Sequence, residues 1–239
     1  MRAAIRIAAR MSLAITAFWF TAAALHAQMQ SQPGNTAVDP ASLPAHDSHQ
    51  RIVIGAEPYT SGDRYKEKFG KHTPYEGGIA AVEVFARNDN DLPVRINLNT
   101  IQLLVAVPGG SRQRLDMLTP EDVADRVLAK PRDPSPRMPI PRIGAPSPKR
   151  DKAWEEFVAA LRSAALNTDL LPPHMTTHGF VYFDIARHYE WLSNSRLEIP
   201  DLAFMNDTKP IFFFEIDLAP AVHSITGSAR RFARFLAVS

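Results

Sequence analysis

The chain has 239 residues, 45% of them apolar, which is enough to bury a core in one domain with a small appendage. Its formal charge of +2 is misleading, because Arg2, Arg6 and Arg10 fall in a leading stretch with no acid, and without them 24 basic side chains face 25 acidic ones. The remainder is close to neutral, so overall charge argues against a nucleic-acid or anionic-membrane partner, and the lack of cysteine excludes disulfides, thiol catalysis and a lipid-acylated N-terminus.

Residues 1–27 read as a secretory signal peptide. The three arginines form the positive region, Met11 to Leu25 is apolar, and Ala22, Ala23, Ala24 and Ala27 supply small residues for cleavage after Ala24 or Ala27. The apolar run is short for a bilayer span of about 20 residues, and no later run is longer, so no stable membrane span is expected after signal removal. The expected location is secreted or periplasmic. Residues 28–50, punctuated by Pro33, Gly34, Pro40 and Pro44, read as a flexible leader.

The folded domain is expected over residues 51–218. Arg51 to Pro58 alternates as a strand, and Tyr59 to Gly78 is polar and reads as loop with room for one helical turn. Ile79 to Arg87 is a strand with Ala80, Val82, Val84 and Ala86 on one face. Asn88 to Asp91 then has the residues of a hairpin connection, and also lacks the glycine and distant glutamate of a calcium-binding loop. Val94, Ile96 and Leu98 are even, whereas Ile101, Leu103, Val105 and Val107 are odd. This change of parity predicts a bulge or strand switch at Asn99-Thr100.

A helical insertion is expected over 119–171. Thr119-Pro120-Glu121-Asp122 is a helix start, and Trp154, Phe157, Val158, Leu161 and Ala165 make one apolar stripe on a second helix. Between them residues 131–150 carry seven prolines and read as an extended Pro-rich linker. Strands return at Gly179 to Ile185, Arg196 to Ile199 and Ile211 to Leu218. The last puts Phe212, Phe214, Ile216 and Leu218 on one face and Glu215 and Asp217 on the other. Residues 219–239 read as a weakly patterned tail ending in a small basic amphipathic segment, Arg230 to Leu236.

Strands on either side of a helical pair, without strand–helix alternation, predict a mainly β fold: an antiparallel immunoglobulin-like β-sandwich with an inserted pair of α-helices. The run from Val82 through Asn88-Asp89-Asn90-Asp91 to Ile96 and Leu103, with Gly179 to Asp184 and Phe213 to Leu218, resembles secreted bacterial immunoglobulin-like domains. The resemblance covers about a third of the residues beyond the signal. It implies a sandwich fold and an envelope location, and carries over no catalytic residue.

Candidate chemistry is sparse. His174, His178 and His188 with Asp184 supply zinc- or copper-type ligands, and segment 174–188 is therefore the candidate for a metal-binding protein or hydrolase. The prolines at 172 and 173 point instead to extended chain, where four-residue spacing does not bring two imidazoles together. No G-x-S-x-G motif occurs, the glycines near Lys71 lack phosphate-loop spacing, and Glu155 and Glu156 are neighbours on a helix. Glu215 and Asp217 share a strand face and read as solvated charges. No catalytic residue and no cofactor are assigned. The expected function is a non-catalytic binding or structural module of the bacterial cell envelope, with another envelope protein as the kind of partner it would take.

Overall fold

The structure is a computed structural model that describes residues 38–107, 109–128, 151–205, 210–211 and 213–225. The signal segment 1–27, the Pro-rich linker 131–150, Phe212 and the basic segment after residue 225 lie outside the described residues.

Among the described residues, twelve strands form three four-stranded sheets, and every strand pair is antiparallel. The chain is therefore mainly antiparallel β. Sheet A has the order β1 (His46–His49), β2 (Ile52–Pro58), β3 (Ile79–Asn88) and β8 (Met175–Asp184). Sheet B contains β4 (Val94–Ile96), β7 (Leu170–Leu171), β10 (Leu202–Phe204) and β11 (Pro210–Ile211). Sheet C contains β5 (Gln102–Ala106), β6 (Arg112–Asp116), β9 (Ser195–Ile199) and β12 (Phe214–Asp217).

The inner strands β2 and β3 of sheet A are buried on both faces, which explains the near-continuous apolar run of β3. The even residues Ala80, Val82, Val84 and Ala86 join Ile52, Ile54, Val181 and Phe183 in a core shared with the inner faces of sheets B and C, including Leu103, Leu197, Phe214 and Ile216. The odd residues Ile79 and Ala81, with Phe180 and Tyr182 from β8, floor a second core beneath three helices.

Those helices are α1 (Gly62–Phe69), α2 (Pro120–Val127) and α3 (Lys152–Ala164). The start signal of α2 forms a complete capping box: Asp122 N–H donates to Thr119 Oγ1 at 3.2 Å, and Thr119 N–H donates to Asp122 Oδ2 at 3.3 Å. The stripe of α3 buries Phe157, Val158 and Leu161. Arg162 Nε binds Glu121 Oε1 at 2.7 Å and Trp154 Nε1 donates to Asp125 Oδ1 at 2.7 Å, so the two helices are tied side by side.

Several expectations need correction. The flexible leader does not extend to residue 50: a turn of 3-10 helix at Pro40–Ser42 and strand β1 form an ordered arm, which buries only Pro40 and Ala45 and is held by backbone pairing to β2. Hydropathy does not register that kind of attachment. The polar stretch 59–78 holds the two-turn helix α1, whose Tyr65 and Phe69 point into the second core one helical turn apart. Asn88 to Asp91 is no hairpin, because β3 and β4 lie in different sheets; the turn residues carry the chain from sheet A to sheet B. The segment 211–218 is divided between β11 and β12, again in different sheets. Strand β8 starts four residues earlier than Gly179, β6 was hidden by its polar composition, and the fold continues past Leu218 into a helical turn over 219–225 that buries Ala221. The end of the helical insertion belongs to sheet B, since Leu171 in β7 pairs with Val94. The predicted switch at Asn99-Thr100 is present: a 3-10 turn at Leu98–Thr100 separates β4 in sheet B from β5 in sheet C.

Candidate functional site

Glu83 stands in the middle of β3 on the helix-side face, and only 8% of it is exposed. A carboxylate so buried requires partners. Oε2 accepts from Tyr59 Oη at 3.2 Å, and Oε1 lies 3.3 Å from His178 Nδ1 on β8, a hydrogen bond when the imidazole carries its proton there. Sheet register sets this up. Phe85 pairs with His178 and Glu83 with Phe180, so His178 reaches Glu83 along the diagonal. Phe85 stacks on the imidazole at 5.5 Å between centroids and 14° between planes, fixing its orientation.

Glu57 on β2 pairs directly with Glu83, a like-charge pairing that sheets disfavour. Arg64 of α1 answers it: Nη2 binds Glu57 Oε1 at 2.9 Å while the guanidinium sits 4.1 Å above the Tyr59 ring. One turn later Lys68 lies 5.2 Å above the Phe180 ring. The Tyr59 phenol is pushed up to about 12, first by burial and then by the Glu83 charge. Below the cluster, Tyr65 accepts from Ala81 N–H at 2.7 Å and shares its single proton between the Tyr59 and Ile79 carbonyls, anchoring α1 to the sheet; burial holds its phenol well above the usual range.

The histidine segment does not come together. Consecutive residues in a strand advance about 3.3 Å, so His178 and Asp184 in β8 are roughly 20 Å apart, far outside the reach of one metal ion. Each candidate has its own partner instead. His174 Nε2 meets Asp91 Oδ1 at 2.9 Å, and His188 Nδ1 meets Glu190 Oε1 at 2.9 Å with its ring stacked on Trp191. The Glu190 carboxyl is lowered by its own backbone N–H and by His188. Asp184 binds Arg126 at 2.9 Å and caps the Ala186 N–H. Among the described residues no three or more His, Cys, Asp or Glu side chains are grouped to hold a metal ion. Glu215 pairs with Arg196, the cross-strand neighbour of Asp217.

Neither Glu83 nor Tyr59 is among the candidate residues that the sequence motifs point to. Their signal was present: Glu83 is the lone acid inside the apolar run Ile79 to Phe85, a position that a both-faces-buried strand fills with charge only when partners are waiting.

No protein-family model matches the chain, and no curated protein matches it. A crystal structure of a functionally unknown protein from Listeria monocytogenes EGD-e is similar over 65% of this chain and 70% of that one, at 10% sequence identity and a TM-score of 0.29. So slight a likeness carries no argument about fold or function. Among the described residues no helix is long and apolar enough to cross a membrane.

Proposed function

We propose that the chain is an exported, non-catalytic binding module of the cell envelope, built on an immunoglobulin-like sandwich. Its binding surface is the rim of sheet A, where Arg64 and Lys68 cap aromatic rings beside the 39%-exposed His178 side chain. One observation carries this reading. Both oxygens of Glu83, the acid best placed for proton transfer, are engaged by Tyr59 and His178, so the cluster acts as a brace for the rim. Cations held over rings suit an acidic segment on another envelope protein. The sandwich part of the proposal rests on sheet A facing sheets B and C across one core, and on consecutive strands that cross between sheets. Export rests on the leading arginines, apolar run and alanines of residues 1–27.

Two measurements test it. N-terminal sequencing of protein recovered from outside the cytoplasmic membrane should begin between Leu25 and Met29, whereas an intact Met1 on membrane-bound protein counts against export. A glutamate-rich peptide should bind the purified chain with an affinity that falls with salt, and Lys68→Glu should weaken it about tenfold. Binding indifferent to both would place the surface elsewhere.

A further inference from the structure

We propose that the N-terminal arm, residues 38–49, exchanges between two copies of this chain, so that β1 of each copy completes sheet A of the other. The arm makes a contained set of contacts with the body. His46 to His49 pair with Gly55 to Ile52, Ala56 N–H donates to the Ala45 carbonyl at 2.9 Å, and Asp39 binds Arg87. The His49 ring lies 5.1 Å from Phe214, and Glu215 N–H reaches Asp47 Oδ2 at 3.4 Å. Gly55 is shaped to receive the arm: a Cβ there would come within 2.6 Å of Leu43 Cδ1 and 2.8 Å of the Pro40 carbonyl oxygen. Each of these contacts runs from arm to body, so the arm of a second copy reproduces them all.

The hinge supplies the drive. His49 pairs with Ile52, which leaves Gln50 and Arg51 as a two-residue turn, with φ of 48° and 61°. Both central residues of such a turn are left-handed, a conformation suited to Asn-Gly and strained for glutamine and arginine. When the arm reaches across to a second copy, these residues extend and the strain is released at both hinges; short strained hinges favour exchange for this reason. Two hydrogen bonds oppose it. Asn90 Nδ2 donates to the Gln50 carbonyl at 2.8 Å and Asp89 N–H to the Arg51 carbonyl at 2.8 Å, and both hold the closed turn. Exchange joins two chains, so it is concentration-dependent, and these bonds make it proceed only through release of the arm.

Because the chain has no cysteine, a thiol pair reports the state directly. Ser48 and Val53 are opposed across β1 and β2, so Ser48→Cys with Val53→Cys forms an intrachain disulfide in the closed form and an interchain one after exchange. The full chain would be refolded from denaturant over a series of concentrations, oxidised, and resolved on a non-reducing gel. A covalent dimer whose share rises with concentration is expected, and it should clearly exceed the dimer that collision of exposed thiols forms in the Ser48→Cys single variant. Adding Gln50→Asn and Arg51→Gly relieves the turn without touching the arm's seat, and should lower the dimer share at least tenfold. Covalent monomer at every concentration overturns the proposal. So does a dimer that the turn variant leaves unchanged, because that dimer would form through another face.

Discussion

Asn88, at the end of sheet A, reaches the carbonyl of Leu171 in sheet B, 83 residues away, at 3.2 Å. Its side chain is fully buried at the end of β3, and Nδ2 also faces the Leu92 carbonyl at 2.9 Å and the Pro172 carbonyl at 3.3 Å, while Oδ1 accepts from Asn90 N–H at 3.0 Å. One amide thus ties the end of sheet A to the start of the crossover and to the strand that enters sheet B.

Asn88→Ala should therefore destabilise the fold by about 2–3 kcal/mol, since it leaves buried backbone groups without partners. Asn90→Ala, at a half-buried position of the same turn, should cost less than half as much. Urea melts of the two variants give the comparison; equal costs would mean that water replaces the Asn88 amide.

Phe214 and Phe213 are adjacent in sequence and opposite in environment, fully buried and 56% exposed respectively. Phe214→Ala should cost about 3–5 kcal/mol by opening a cavity between sheets A and C. Phe213→Ala should stay within about 0.5 kcal/mol of the parent. A larger loss at Phe213 in guanidinium melts would contradict the placement of β12.

The buried phenols make alkaline stability a signed prediction. Tyr59 is raised to about 12 from an ordinary value of 10, and Tyr65, Tyr182 and Tyr189 are raised in the same direction, mainly by burial. These groups release protons more readily in the unfolded chain, so stability should be flat up to about pH 10 and fall from there through about pH 12. Glu83→Gln removes the negative charge beside Tyr59 and should lower its titration midpoint without restoring 10, because burial remains. Ultraviolet titration of the phenolate band reads this out, and an unchanged midpoint would show that burial alone sets it.

Gly179 is where the exit from α3 crosses β8. A Cβ there would lie 2.4 Å from Leu166 N and 2.5 Å from its Cα, both backbone atoms that cannot step aside cheaply. Gly179→Ala should cost about 1–3 kcal/mol by forcing residues 165 and 166 off the strand edge. It should also speed amide exchange at Leu166 N–H, which donates to the Phe180 carbonyl at 2.9 Å. Normal protection at Leu166 in the variant would refute this crossing.

What could be read from the sequence was what alternation and capping encode locally. The parity change at Asn99-Thr100, the Thr119 cap, the stripe of α3 and the inward face of Phe214 all depend on residues close in the chain. The arm escaped notice because its attachment is backbone pairing plus a missing side chain at Gly55. The polar strand β6 escaped because an edge bearing Arg112, Gln113 and Arg114 has no apolar face to reveal it. Asn88 to Asp91 carried true turn chemistry, but whether a turn pairs its flanking strands or parts them is decided by remote partners. The candidate site failed similarly: His178 was noticed for its neighbours in sequence, while its partner Glu83 lies 95 residues upstream.

The two-faced character of sheet A bears on how the chain is made. Strands β2 and β3 are available to pair once residue 88 has been synthesised, yet the floor that Tyr59, Tyr65 and Phe69 pack upon needs Phe180 and Tyr182. A nascent chain therefore carries three aromatic side chains without their final shelter while roughly another hundred residues are added, a period in which a holding chaperone has an obvious place to bind.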